Sequence, residues 1–399
     1  MNQSIISKSS ARSNNIMIGL FVWGALQSII ANYSIYFSYG LWLLSLSLLF
    51  FFFIVNYRDF SSNDKKSSIL YFVSFGIPYF ISTVVNGCIP NKTYFIYLIY
   101  GILFLLLRRD IRNRVVYFFS WSLAVFLFFS LIEFLLYNFL GIGFVITNAT
   151  RELTQGSTYY VHLIFNLQDS FMLFPRFQSI SNEPGLIGTL CGFLLFYTGR
   201  NIKLRFPFII FILCGLFSFS LAFYVILVLY LCSGLFKVKT TIVMILTLFV
   251  VGSVTSQYIE ELILFRIDKD SLSQMDNRTT ATFDARFYQA WERGNLWLGV
   301  GSNNLPSDVT YGISNQQGGN AGAKKWIFEY GIISFVVLFI FSLKLYFRQR
   351  GEKLSFYDVF FLIVFWLSFY QRQTIADSYT LMAFCAVPLG EYVRSKQIK

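Results

Sequence analysis

From Leu41 to Val55 the sequence reads LWLLSLSLLFFFFIV, without one charged residue. Runs of this kind recur along the chain and constrain its fold more than any other feature. A helix needs about 20 apolar residues to cross a hydrocarbon layer of about 30 Å. Backbone N–H and C=O groups find no partners in lipid, so only helices and closed barrels span it. Barrel strands alternate apolar and polar residues, whereas these runs are continuous. The pattern specifies an all-α, polytopic membrane protein. Composition agrees: 56% of the 399 residues are hydrophobic and 13% are charged, about half the charged share of a soluble domain.

About twelve transmembrane helices are predicted, over 16–34, 37–55, 69–88, 94–107, 115–138, 184–198, 206–218, 220–235, 240–258, 326–346, 356–370 and 376–392. The stretch 206–235 reads as a hairpin of two short arms. Arg200, Lys203 and Arg205 precede it, and Lys237 and Lys239 follow it. Both flanks therefore favour the cytoplasm, which requires an even number of crossings. With the N-terminus inside, most of the 32 lysines and arginines fall in cytoplasmic segments such as RRDIRNR, residues 108–114. Both termini are expected in the cytoplasm. The net charge of +12 then belongs to inner loops rather than to a nucleic-acid surface. The first 15 residues are polar and a second span follows the first closely, so the first span reads as retained rather than cleaved. Residues 1–399 form one integral membrane domain. No internal repeat is visible, which weighs against a transporter of symmetric halves.

The five cysteines are scattered and form no CxxC pair, so neither a zinc site nor a disulfide framework is indicated. His162 is the single histidine, which excludes histidine-rich metal chemistry. No metal and no cofactor is expected. What remains is concentrated in two long external loops, 141–182 and 259–325. Loops beyond about 12–15 residues are usually functional or disordered, and these two are rich in aromatic residues and glycine rather than low in complexity.

The first loop ends in RFQSISNEPGLIGTL, from Arg176 to Leu190. Ser181 or Asn182 suits a helix N-cap, and Glu183 with Pro184 suits a first turn. A carboxylate there also favours the positive end of the helix dipole. The same position is a rigid place to hold a general base, and the two roles are compatible. The second loop contains TTATFDARFYQAWERGNLWLGVGSNN, residues 279–304. A helix is predicted from Phe283 to Arg293, ended by Gly294. Phe283, Phe287 and Trp291 share one face, expected to lie in the bilayer surface. Arg286 and Arg293 share another, with Arg278 just upstream. Guanidinium groups bind phosphate in a bidentate manner, so these arginines with Arg176 suggest an anionic headgroup ligand. Glu133 lies within a span near its outer end, and Arg372 lies at the outer mouth of the last hairpin.

These stretches resemble the O-antigen polymerase and ligase superfamily of bacterial inner membranes. The resemblance rests on the many-span, Phe-rich chain, the two large loops, and RFQSISNEPGLIGTL entering a span. It rests also on Arg286, Trp291, Leu298, Gly299 and Gly301, which are similar to the family's Arg-x-x-x-Trp…Leu-Gly-x-Gly pattern, and on NAGAKKWIFEYGIISF (320–335), where a loop turns into a span. O-antigen ligases carry a histidine where this chain has Asn320, and a glycine where it has Ser334. That departure argues for a polymerase over a ligase. The arginine-x10-glycine repeats of some polymerases are absent.

What the resemblance implies is a glycosyltransferase that joins undecaprenyl-pyrophosphate-linked oligosaccharides at the periplasmic face. A chain-length regulator and membrane lipid are its expected partners. Arg176, Arg278, Arg286 and Arg293 are the expected pyrophosphate ligands, with Asn320 and Arg372 as further candidates. Glu183 is the first candidate for the base and Asp284 the second. A ligase and a lipid-linked oligosaccharide flippase are the alternatives. A flippase calls for charges deep within the spans and short external loops.

Overall fold

A computed structural model describes residues 2–30, 39–55, 62–87, 92–143, 145–147, 159–163, 166–168, 175–181, 183–235, 281–301, 322–351, 355–371 and 378–397. Each predicted span coincides with a helix, except 240–258, which lies outside the described residues. In order they are α1 (Asn2–Gln27), α2 (Tyr39–Val55), α3 (Ser62–Tyr71), α4 (Ile77–Asn86), α5 (Lys92–Leu106), α6 (Arg109–Leu140), α7 (Pro184–Thr198), α8 (Arg205–Phe217) and α9 (Leu221–Tyr230). Then follow α10 (Ala281–Glu292), α11 (Gly322–Arg350), α12 (Phe356–Gln371) and α13 (Ser378–Gln397). A π-turn, Phe72–Gly76, joins α3 to α4 in one helical run. Three described helices are long and apolar enough to cross a membrane: Lys65–Asn86, Arg109–Leu140 and Gly322–Arg350. Seven shorter apolar helices accompany them. This is the make-up of a membrane-embedded helical bundle.

The first large loop departs from the all-α expectation. Its described part contains three short antiparallel strands in the order β1 (Val145–Thr147), β2 (Tyr159–His162), β3 (Asn166–Gln168). Strands of three and four residues leave little periodicity to read. The sheet docks on the end of α6. The amide of Leu163 donates to the Glu133 carboxylate at 3.1 Å, and His162 packs edge-on against Tyr137 with centroids 4.5 Å apart. Glu133 is thus buried as an anchor for the sheet.

His162 is 1% exposed, and burial lowers its pKa from 6.5 to about 4. The unfolded or undocked segment protonates first as pH falls. Docking stability from this residue is therefore fully present above about pH 6.5 and declines toward pH 4. Amide protection in β2 should hold steady from pH 8 to 7 and fall between about 6.5 and 4. Hydrogen exchange of His162→Phe, which has no proton to gain, should show a much flatter profile.

α7 lies at the centre of its half of the bundle, packed on α8, α9, α12 and α13. Nearly its whole surface is buried, which explains a sequence that is apolar all round rather than on one stripe. Phe193 and Phe196 meet Phe361 and Phe365 of α12, which in turn meet Phe384 of α13. α11 joins the other half, reaching α3, α4, α12 and α13.

Polar contacts at one end of the bundle fix the direction of its helices. Arg350 at the end of α11 pairs with Asp358 at the start of α12. Both are buried, and Asp358 also accepts from Tyr346 and from Ser355. Arg109 at the start of α6 donates to the Arg350 carbonyl at 3.2 Å. Tyr357 donates to the Phe196 carbonyl near the end of α7, and Arg200 stacks over the Tyr357 ring at 3.3 Å. So α6 begins where α7 and α11 end and α12 begins. The start of α7, the end of α6 and the start of α11 consequently lie at the opposite end.

Candidate functional site

At that opposite end the chain approaches α7 through Arg176–Ser181. Phe177 is fully buried, packs edge-on to Phe134 of α6, and donates its amide to the Phe217 carbonyl at 2.9 Å. Arg176 donates from Nε to the Ser218 carbonyl and from Nη2 to the Phe219 carbonyl, each at 3.1 Å. These carbonyls lie just past the last turn of α8, where unsatisfied acceptors favour a cation. Two of its N–H groups are thereby engaged in holding the α8–α9 turn.

The helix starts one step later than the sequence suggests. Glu183 is itself the N-cap residue, with φ −146° and ψ 138°, and Pro184 opens α7. The Ser181 hydroxyl accepts from the Glu183 amide at 3.1 Å and donates to the Glu183 carbonyl at 3.0 Å. It braces the turn before the helix rather than capping it; Asn182 lies outside the described residues. Pro184 explains the shift. It restrains the residue before it to extended geometry and occupies the first helical position without loss of a bond. The Glu183 side chain makes no cap hydrogen bond and is exposed.

The helix predicted over Phe283–Arg293 is present as α10, ending at Gly294 in left-handed geometry. Its aromatic face does not lie as expected. Phe283 is 1% exposed and packs on Phe328 of α11 with centroids 5.3 Å apart, while Phe287 packs beside it. Trp291 stands 57% exposed. The correction has a simple cause: Phe328 of α11, together with Leu296, supplies an apolar seat that only tertiary structure reveals. Arg286 on α10 and Arg293 just past its end are both exposed. Asp284 is bound by Lys324 at 2.8 Å, and that ammonium also lies over the rings of Phe287 and Tyr288.

α11 is broken at Gly331, where φ is 91° and ψ 163°. The freed carbonyls are met from outside. Val300 donates to Phe328 at 2.7 Å, and Ser82 of α4 donates to Glu329 at 2.6 Å. Asn86 of α4 donates to the Gly299 carbonyl at 3.4 Å. Backbone meets backbone here. A Cβ on Gly299 would lie 2.6 Å from the Glu329 carbonyl oxygen, and one on Gly331 would strike the Trp297 carbonyl. This contact accounts for the glycine at 299 of the Leu-Gly-x-Gly pattern, and the left-handed φ of 89° accounts for Gly301. The contact also buries Glu329, which is 5% exposed with Lys325 at 3.9 Å. Lys324 did not stand out in the sequence, and Glu329 did so only within the Glu-x-Gly of NAGAKKWIFEYGIISF. The signal available was their position seven and two residues before Gly331 at the start of a span.

The described candidates form two groups at the same end. Arg176 and Glu183 belong to the α6–α7–α8 side, and Asp284, Arg286 and Arg293 to the α10–α11 side. Arg278, Asn320 and Arg372 lie outside the described residues. Among the described residues no three His, Cys, Asp or Glu side chains converge as metal ligands would. No protein-family model matches the chain, and no curated protein matches it.

Proposed function

We propose that this protein is a glycosyltransferase of the O-antigen polymerase kind, spanning the bacterial inner membrane about twelve times with both termini in the cytoplasm. It extends undecaprenyl-pyrophosphate-linked oligosaccharides at the periplasmic face. The observation that carries the reading is the gathering of Arg176, Glu183, Asp284, Arg286 and Arg293 at one end of an apolar bundle, opposite the basic end made by Arg109, Arg200 and Arg350.

The chemistry needs three things. The pyrophosphate must be held and its developing charge stabilised, a task for fixed guanidinium groups in a partly dry site. Arg286 and Arg293 are the described arginines presented outward for it, with Arg278 next to them in sequence and Asn320 and Arg372 as further candidates. Arg176 fixes the turn beside Glu183 and contributes positive potential. The acceptor hydroxyl must lose a proton to a base within about 3 Å; Glu183 takes that role, with Asp284 second. The hydroxyl oxygen then bonds to the anomeric carbon as the bond to pyrophosphate breaks, inverting that centre. The proton stays on the carboxylate and the diphosphate leaves on its lipid.

Arg286→Ala and Arg293→Ala should each reduce polymer formation by about tenfold to a thousandfold, and Arg→Lys should recover only part of it. Lipopolysaccharide ladders of complemented deletion strains are the measurement. Single repeats on the core fit a polymerase defect. Bare core would favour the ligase, and repeats retained inside would favour the flippase. Wild-type ladders from both alanine variants would remove α10 from the site.

A further inference from the structure

The turn that follows α10 carries apolar surface that the bundle leaves uncovered. Phe283 and Phe287 are spent on the seat made with Phe328 and Leu296. Trp291 near the end of α10 is exposed, and in the turn beyond it Trp297 and Leu298 stand 59% and 47% exposed. Two contacts fix the level of this turn along the bundle. The backbone of Trp297 and Leu298 lies against Gly331, where a Cβ would come within 2.6 Å of the Leu298 carbonyl carbon. Asn86, the last residue of α4, donates to the Gly299 carbonyl. The turn thus rests on α11 and α4 at once. On one side of that level both helices turn apolar side chains out of the bundle. On α11 Ile333, Val336, Phe339 and Ile340 are exposed, beginning two residues past Gly331. On α4 Ile81, Val84 and Val85 are exposed, ending one residue before Asn86. On the other side of Gly331 α11 changes character, with Lys324, Lys325 and Glu329 within seven residues.

We propose that Trp297, Leu298 and Trp291 sit in the interfacial layer of the lipid bilayer and tie the loop helix α10 to the membrane surface. The inference rests on the membrane-embedded bundle and not on the polymerase reading. Three observations select lipid as the occupant. The apolar stripes of two separate helices, which face hydrocarbon in an embedded bundle, both end where Trp297 and Leu298 begin. A protein partner would have to displace the lipid that borders the patch on both helices. Tryptophan is the residue type enriched at this depth, because its ring is apolar and its N–H reaches water. The charges of α11 begin just beyond, as they do where a span leaves hydrocarbon. The anchor also orients α10. At about 100° per residue, Arg286 lies about 140° round the helix from Trp291. A helix held to lipid by its aromatic flank therefore turns that guanidinium away from the acyl chains.

The experiment uses the full-length protein carrying fluorotryptophan in phospholipid nanodiscs, read by fluorine NMR. Trp291→Phe and Trp297→Phe each delete one resonance and so assign it. A phospholipid spin-labelled at the head of its acyl chain should broaden both resonances, and more strongly than a water-soluble gadolinium chelate does. Trp326, 1% exposed, gives the background of an enclosed ring. A diazirine amino acid in place of Leu298, irradiated in the same discs, should yield adducts of phospholipid mass and needs no tryptophan variant. Stronger broadening by the chelate would place the patch in water and overturn the proposal. Resonances insensitive to both agents, or adducts that join position 298 to a second copy or to another protein, would show a protein-covered face and overturn it equally. None of these readings requires turnover, so they stand or fall apart from whether the protein extends a glycan.

Discussion

Glu183→Gln is expected to fold as the parent does and to lose about 10²- to 10⁴-fold of its polymerising activity, the usual contribution of a positioned base. The two roles available to Glu183 separate cleanly under this change. Its side chain makes no cap hydrogen bond, and the turn before α7 is braced by Ser181 instead. Glutamine therefore removes no cap bond. It removes a charge at the helix N-terminus, worth about 0.3–1 kcal/mol. A residue that served only the helix would leave activity at the parent level and shift melting slightly. A base would leave melting nearly unchanged and abolish turnover. Purified variants assayed for chain length and for thermal unfolding in detergent give both numbers. Parental polymer from Glu183→Gln would return the residue to a structural role and pass the search for a base to Asp284.

Gly331→Ala is expected to be the most damaging single methyl group in the described structure. Its φ of 91° with ψ 163° lies in a region nearly closed to other residues, and occupying it costs about 1–3 kcal/mol. The added Cβ also strikes the Trp297 carbonyl, which is backbone and cannot rotate away. Relief requires α10 and its connection to lift off α11, breaking the Val300–Phe328 bond. A loss of about 3 kcal/mol or more in local stability follows from strain and lost bonds together. Exchange protection at Val300 should collapse and Phe283 should become accessible. Gly19→Ala is the control, since its Cβ meets nothing within 4 Å and alanine favours the helix. Unchanged protection at Val300 in Gly331→Ala would refute this account of the break.

Much of the bundle was legible because lipid imposes one demand that a sequence cannot hide. The runs at 206–218 and 220–235 show it: each arm is short, yet the flanking charges required a turn, and Ser218–Ser220 makes that turn. The α10 helix was legible from its threonines and Gly294. What it leans on was not, because Phe328 is distant in sequence and a ring packed on protein reads the same as one facing lipid. The break at Gly331 had a visible glycine but no visible reason; the reason is the backbone of residues 297–300. The sheet was missed because strands of three and four residues carry too little alternation. Arg176 was legible as a cation at the mouth of α7. Its engagement with the α8–α9 turn depends on a fold that brings a helix end from some 40 positions away.

The buried Arg350–Asp358 pair, with Arg109 and Arg200 around it, has a mechanical consequence. Separating two buried opposite charges costs about 3–5 kcal/mol, so the helices it joins cannot part there. Movement is left to their far tips, in the manner of tweezers hinged at the handle. Any hinge motion of these helices is pivoted at that buried pair and is largest at the end that carries Glu183.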